Sequence, residues 1–229
     1  MIELNTQHKN LEPHQILQTT LEMFPKATLA FSGSEDVVLI DMAHKLKLKP
    51  AVFVLDTGRL HPKTYQYIER IREHYQIDIT MTFPDANAVE DLVKRKGLFS
   101  FYQDGHSECC KIRKVHPLQR ILEQYPAWIT GMRQDQSTTR TEIEIFATDP
   151  VFATENHELY KINPLLNWTS KDIWDYITAN NVPYNQLHQE GYISIGCAPC
   201  TRAIAPNQHE RTGRWWWENP DKKECGLHR

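Results

Sequence analysis

Three short apolar runs, each ending in a polar turn that contains glycine, constrain this chain more than any other feature. They are "ATLAFSGSEDV" (27–37), "AVFVLDTGR" (51–59) and "AWITGMRQDQS" (127–137). A continuous apolar run of this length, bounded by turn residues, reads as a strand buried on both faces. The first turn leads into "SEDVVLIDMAHKL", and the second into "HPKTYQYIERIREHY", which Pro62 opens; both have helical spacing. "IDITMTF" (77–83) reads as a further strand, and "NAVEDLVKRKG" as a helix stopped by Gly97. "HSECCKIRKVHPLQRILEQY" is also helical in spacing, "ELYKINPL" is a candidate fifth strand, and "SKDIWDYITANN" is a helix begun by Ser170. Strands alternating with helices imply right-handed crossovers and an α/β fold, with a mostly parallel sheet flanked by helices.

One domain accommodates this pattern, since 229 residues bury a single substantial core. The expected organisation is an N-terminal helix over 1–26, an α/β nucleotide-binding core over 27–191, and an irregular extension over 192–229. That extension is rich in Gly, Pro, Trp and charge and keeps no period. A net charge of −3 argues against a general nucleic-acid binder, and no apolar run approaches the ~20 residues of a membrane helix. The opening residues show neither a secretory nor a transit pattern, so a cytoplasmic protein is expected. No motif fixes the oligomeric state, and a homo-oligomer is compatible with the sequence.

In open parallel sheets ligands sit beyond the carboxyl ends of the strands, where these three turns fall. In the "SGSEDV" turn, backbone N–H groups, the helix dipole and the Ser32 and Ser34 hydroxyls around Gly33 suit a phosphate or sulfate. One such loop is more often a tight turn than a site; three at one sheet edge make a nucleotide site the better reading.

The cysteines divide four plus one: the pairs Cys109–Cys110 and Cys197–Cys200, and Cys225 near the end. In a reducing compartment this favours metal or redox chemistry over a disulfide scaffold. By count, four thiolates fit a [4Fe–4S] cluster or an all-thiolate zinc site equally well. Adjacent cysteines diverge by ~100° on a helix, which a wide cubane tolerates better than one ion. Lys111, Arg113 and Lys114 follow the first pair and His106 precedes it, a crowding of cations that suits an anionic cluster. With four thiols committed, Cys225 has no partner in its own chain. Lys222, Lys223, His228, Arg211 and Arg214 lie near it in sequence and would lower its pKa, so it is a candidate nucleophile.

"SGSEDV" resembles the modified loop of the adenine-nucleotide α-hydrolase-like superfamily, with Ser34 in place of a second Gly and Val37 after the Asp. "VFVLDTGRLHPKTY", "TGMRQDQSTTR", the CC…CxxC set and the tail string "ECGLH" resemble the sulfonucleotide reductases, in particular the assimilatory, bacterial-type adenosine 5′-phosphosulfate (APS) reductases. The resemblance runs from about residue 27 to residue 228. It implies one [4Fe–4S] cluster per subunit on Cys109, Cys110, Cys197 and Cys200. It implies adenosine flanked by Leu55, Thr57 and Gly58 on one side and by Gly131, Met132 and Arg133 on the other. Lys114, Arg140, Arg211 and Arg214 are then expected at the phosphate and sulfate oxygens. Trp215 is expected over the nucleotide or packing the tail, and Cys225 as the catalytic thiol with His228 orienting it.

The implied activity is reduction of APS to sulfite and AMP through an S-sulfonated Cys225, cleaved by reduced thioredoxin or a glutaredoxin. Three alternatives stand beside it: the 3′-phosphorylated substrate (PAPS), an ATP pyrophosphatase-like enzyme, and a metal-stabilised nucleotide-binding protein without turnover.

Overall fold

The computed structural model describes residues 2–8, 11–136 and 143–219. Arg140, Cys225 and His228, together with Lys222 and Lys223, lie outside the described residues. Among the described residues six strands form one sheet: β1 (Thr28–Ala30), β2 (Ala51–Leu55), β3 (Ile79–Thr82), β4 (Ala127–Ile129), β5 (Phe146–Thr148) and β6 (Tyr160–Ile162). Their order is β3-β2-β1-β4-β6-β5. β1 runs parallel to β2 and β4, β4 runs parallel to β6, and β5 is antiparallel to β6. The mostly parallel sheet expected from the alternating pattern is therefore present.

Among the described residues eight helices accompany it: α1 (Ile2–His8), α2 (Pro13–Met23), α3 (Ser34–Lys45), α4 (Pro62–Tyr75), α5 (Ala86–Lys96), α6 (Ser107–Cys110), α7 (His116–Leu122) and α8 (Ser170–Asn180). Their ends follow local chemistry. The Asp85 side chain accepts from the Ala88 N–H at the start of α5, and Gly97 ends it at φ 81°. The helix beginning at Ser170 is capped by Thr169, whose hydroxyl and N–H exchange hydrogen bonds with Asp172.

Two sequence expectations change. The run 107–122 is not one helix, because a π-turn over Lys111–Val115 separates α6 from α7. β5 was absent from the sequence reading; at three residues, antiparallel and paired on one side, it gives almost no periodic signal.

The chain divides into two compact units. The first takes the described residues within 1–54, 66–80 and 122–185; the second takes those within 55–65, 81–121 and 186–229. In the first, α3 packs against β1, α2 and α8, and Val37, Val38, Leu39, Phe53, Trp128 and Ile129 are buried. In the second, a cluster of Phe101, Cys110, Cys197, Cys200 and Trp215, with Cys109 and Trp217 against it, forms the interior.

Candidate functional site

In the first unit the β1 turn closes on itself. Asp36 Oδ2 accepts from the Ser32 N–H (2.7 Å), the Ser32 hydroxyl (2.9 Å) and the Gly33 N–H (3.0 Å), while Oδ1 accepts from the Gly131 N–H (2.9 Å). The carboxylate of α3 thus occupies donors that the sequence reading offered to a phosphate. Ser34 likewise donates to its neighbour Glu35 (2.9 Å). Burial, reinforced by the charge of Glu35, raises the Asp36 pKa to about 6 despite these hydrogen bonds. Gly131 is required here: a Cβ would stand 2.5 Å from Glu35 Cβ and 2.6 Å from Asp36 Oδ1.

Arg133, expected beside the nucleotide, is 1% exposed and bonded within the same joint. Its Nε donates to Glu35 (3.1 Å) and its Nη1 to Asp135, and Gln136 adds a bond to the same Glu35 oxygen (2.9 Å). Met132 is buried beside it, leaving Ser32 as the exposed side chain of the β1 turn. Arg133 therefore positions the loops; its guanidinium does not face outward.

In the second unit Cys109, Cys110, Cys197 and Cys200 pack together. Cys110, Cys197 and Cys200 are buried, Cys109 is half-buried, and all four are free thiols. The chain brings them together by two devices. The π-turn after Cys110 widens the helix, so Arg113 and Lys114 are both buried although adjacent. The "CAPC" segment is a single 3₁₀ turn, held by the Cys200 N–H on the Cys197 carbonyl (2.9 Å) and by the Thr201 hydroxyl on the same carbonyl (3.0 Å). It is fastened to the β2 turn by the Ala198 N–H on the Arg59 carbonyl (2.8 Å).

Thr57, expected to line adenosine, turns its hydroxyl to Cys197 Sγ (3.2 Å) and its carbonyl to Arg113 Nη1 (2.7 Å). Leu55 is half-buried and Gly58, at φ 69°, is exposed, so both keep accessible surface. Lys114 is buried, and its charge acts on Cys109, Cys197 and Cys200.

Trp215 is 1% exposed and packs with Phe101, Cys110, Cys197 and Cys200. Arg214 and Arg211 lie over its ring at 4.6 and 5.7 Å, and Arg214 Nη1 also donates to the Ile195 carbonyl (3.2 Å). The Cys200 thiol donates to the Cys197 sulfur, which holds the Cys197 pKa well below the usual thiol range and pushes that of Cys200 up. Burial raises Cys109 against the pull of Arg59 and Arg113.

Four buried donors around this nest lack a partner among the described residues: Arg59 Nη1, Arg113 Nε, Arg214 Nε and Trp215 Nε1. Three belong to guanidinium groups, which only donate. Donors left over around four free thiols suit a group that is anionic and rich in acceptors, which an iron–sulfur cluster is. Among the described residues no group of three or more His, Cys, Asp and Glu side chains is arranged to hold a single metal ion.

Residues 26–203 match the phosphoadenosine phosphosulfate reductase domain. The chain belongs to that family. Among its relatives, an adenosine 5′-phosphosulfate reductase of Pseudomonas aeruginosa is 56% identical over 94% of this chain and 82% of its own. The 5′-adenylylsulfate reductase 3, chloroplastic, of Arabidopsis thaliana is 51% identical over 99% of this chain and 51% of its own. A solved phosphoadenylyl-sulfate (PAPS) reductase from Candida auris, in a phosphate complex, superposes with a TM-score of 0.72 at 28% identity, covering 88% of this chain and 95% of that one. The Candida glabrata FMN adenylyltransferase shares the fold alone, at TM-score 0.60 and 15% identity over 90% of this chain and 68% of that one. This member of the phosphoadenosine phosphosulfate reductase family thus has the adenine nucleotide α-hydrolase-like fold that the resemblance of its "SGSEDV" loop implied.

Sequence reasoning missed three contributors to the site. Asp36 is the internal anion of the β1 turn, Arg59 brings a buried N–H toward the cysteines, and Glu218 accepts from both the His106 N–H and its ring Nδ1 at 2.7 Å. Arg59 follows the "DTG" turn directly and was within reach of a reading that asked what comes after the glycine. Glu218 lies 112 residues from His106, and nothing in the sequence pairs them.

Proposed function

We propose that the chain is an assimilatory APS reductase, an oxidoreductase acting on a sulfur group, that takes its electrons from a dithiol protein such as thioredoxin. The observation that carries this reading is the nest of four cysteines outside any disulfide, three of them buried, beside Arg59, Arg113 and Arg214, each of which keeps a buried N–H without a partner among the described residues. The high identity to proteins named for APS reduction supports the same choice. We read the whole chain as one sulfonucleotide reductase domain acting in the cytoplasm; no helix among the described residues is long and apolar enough to cross a membrane.

Cys109, Cys110, Cys197 and Cys200 would hold one [4Fe–4S] cluster. When bound, its thiolate-ligated core supplies a delocalised negative charge that fixes the surrounding cations in place. In the first unit Ser34 and Gly131 are buried and bonded within the protein, and Ser32, exposed at the β1 turn, would meet substrate. In the second, Leu55 and Gly58 would do so through accessible surface, and Lys114, Arg211 and Arg214 supply positive charge where the AMP phosphate departs.

The Cys225 thiolate attacks the sulfur of the mixed anhydride, and the S–O bond to AMP breaks. The products are an S-sulfonated cysteine and AMP, with no external electrons yet used. A donor thiolate then attacks the Cys225 sulfur, releases sulfite and leaves a mixed disulfide. The donor's second thiol resolves it, so the donor dithiol loses two electrons as sulfur passes from sulfate to sulfite. Arg140 and His228 are assigned to the sulfate end and to the thiolate by resemblance.

The experiment is anaerobic purification with iron and sulfide analysis, followed by APS labelled on sulfur. Four irons and four sulfides per chain, stable label on Cys225 without reductant, and sulfite on adding reduced thioredoxin are expected. PAPS run in parallel reads the alternative that the Candida auris match favours, and APS turning over faster by at least a hundredfold is expected. Zinc in place of iron, or label that survives Cys225→Ser, overturns the proposal.

A further inference from the structure

The second unit carries an exposed apolar patch that no part of the proposed chemistry uses. Leu98 and Phe99 are 55% and 59% exposed and Tyr102 is 41% exposed. The Phe99 and Tyr102 rings stack at 6.3 Å, and Tyr102 continues onto Trp216 (6.2 Å) and Trp217 (4.5 Å). Two arginines border it: Arg59 lies 5.8 Å over Phe99, and the exposed Arg202 lies 5.4 Å over Trp216. The platform is held from beneath. Tyr102 donates to the Pro199 carbonyl (2.7 Å) and Trp217 to the Phe101 carbonyl (3.0 Å), so its rings are fixed to the "CAPC" turn. Ordered, exposed aromatic surface with a cationic rim is the composition of a protein-docking site.

What docks there follows from where the described chain ends. Trp216 and Trp217 belong to the patch, Asn219 is the last described residue, and Cys225 follows Trp217 by eight residues. Eight extended residues span at most ~29 Å, so the thiol is tethered to the edge of this surface by a short arm. A small dithiol reagent needs no surface to reach a sulfonated cysteine. A protein donor does, because its thiol must be held in line with the Cys225 sulfur while sulfite leaves.

We infer that the Leu98–Phe99–Tyr102–Trp216 platform is the docking surface for the reduced-dithiol protein that cleaves the Cys225 intermediate. This rests on the reductase reading above. The partner it fits has an apolar face beside its reactive dithiol with acidic residues at the margin, matching the exposed Arg202.

The test separates the two half-reactions in iron-loaded protein. Phe99→Ser and Leu98→Glu variants are charged with labelled APS, then challenged with reduced thioredoxin or with dithiothreitol. The expected result is an unchanged rate of label transfer to Cys225 and unchanged release by dithiothreitol. The KM for thioredoxin should rise at least tenfold, with kcat at saturating donor within about twofold. Arg202→Glu should raise that KM further at low salt than at high salt.

Thioredoxin kinetics equal to wild type in both variants overturn the inference. So does slowed label transfer, which would make the platform a seat for the chain's own tail, or a changed sedimentation mass, which would make it a face between two copies. Failure of Cys225 to take label in the wild type sinks the reductase reading instead, and is read before any donor is added.

Discussion

The β1–β4 joint and the cysteine nest are both polar, both buried and both built from loops, yet they close their hydrogen bonds in opposite ways. At the joint, Asp36 accepts four bonds and Arg133 is paired with Glu35 and Asp135. At the nest, three guanidinium nitrogens and an indole N–H find no partner among the described residues. Buried polar groups are normally satisfied, because an unmet donor costs ~1–3 kcal/mol. The joint is therefore complete as protein alone. Among the described residues the nest keeps donors without an acceptor, and a group that accepts hydrogen bonds and carries negative charge would suit it. Two regions of one chain thus separate scaffold from receptacle without any ligand being present.

The sharpest way to break this comparison is to remove iron. Chelation of the anaerobic holoprotein leaves the nest's cations facing one another, and the cost falls on that unit. Amide exchange should rise by orders of magnitude over 106–115 and 197–217 while staying unchanged over 28–45 and 127–133, read by mass spectrometry. Equal loosening of both regions would show that the contrast in hydrogen bonding has no energetic meaning. Cys110→Ser and Cys197→Ser should give the same pattern and no sulfite.

The next effect tests the joint through pH. Asp36 carries a pKa raised from 3.8 to about 6, chiefly by burial and next by Glu35. A carboxyl that is harder to ionise in the folded chain favours folding most when protonated, below its unfolded pKa. That contribution is lost as pH rises from about 4 through about 6. The two-unit shift corresponds to about 3 kcal/mol at most. Asp36→Asn removes the titration, so the stability of wild type relative to this variant should fall between pH 4 and pH 7, measured by urea unfolding of the iron-loaded proteins. A difference that is flat or grows with pH would sink the assignment.

Gly131→Ala probes the same joint by volume. Its Cβ would stand 2.5 Å from Glu35 Cβ, which the ion pair to Arg133 holds in place. Overpacking of this kind costs about 1–3 kcal/mol, and the loss should appear at every pH, unlike that of Asp36→Asn. Iron content should stay at wild type, since the nest shares none of these contacts.

What was legible in the sequence follows the same division. Strands, helix starts and strand-end turns are encoded by neighbours in the chain: Pro62 at the start of α4, Gly97 at the end of α5, and apolar runs for β1, β2 and β4. Cysteine pairing by count was also readable. The π-turn at Lys111–Val115 was hidden, because its residues keep a helical apolar spacing and only the hydrogen-bond register changes. The direction of Thr57 was hidden too. "LDTG" reads in the sequence as a strand end lining a ligand, but which side of the turn the hydroxyl takes depends on Cys197, 140 residues away. Arg133 misled for the same reason: an arginine two residues after a strand-end glycine reads as lining the adenosine until Glu35 and Asp135 are seen on it.

The smallest expected effect sharpens the edge of the receptacle. Glu218 belongs to the nest's unit but is satisfied in the manner of the joint, with one oxygen on the His106 N–H and the other on its ring nitrogen, both at 2.7 Å. His106 in turn stacks on Trp215 at 4.1 Å and passes its carbonyl to the Cys110 N–H (2.9 Å). If unmet donors are confined to the space a cluster would occupy, this clasp behaves as ordinary protein. Glu218→Ala should then cost about 2 kcal/mol, the value of buried hydrogen bonds to a charged group. Glu218→Gln should cost under about 1 kcal/mol, because an amide offers both an acceptor to the N–H and either role to the imidazole. Both are read by urea unfolding of the iron-loaded protein, with iron bound at wild-type level. Loss of iron from the Gln variant would instead make the carboxylate's charge part of the receptacle, moving the boundary between scaffold and site outward to Glu218.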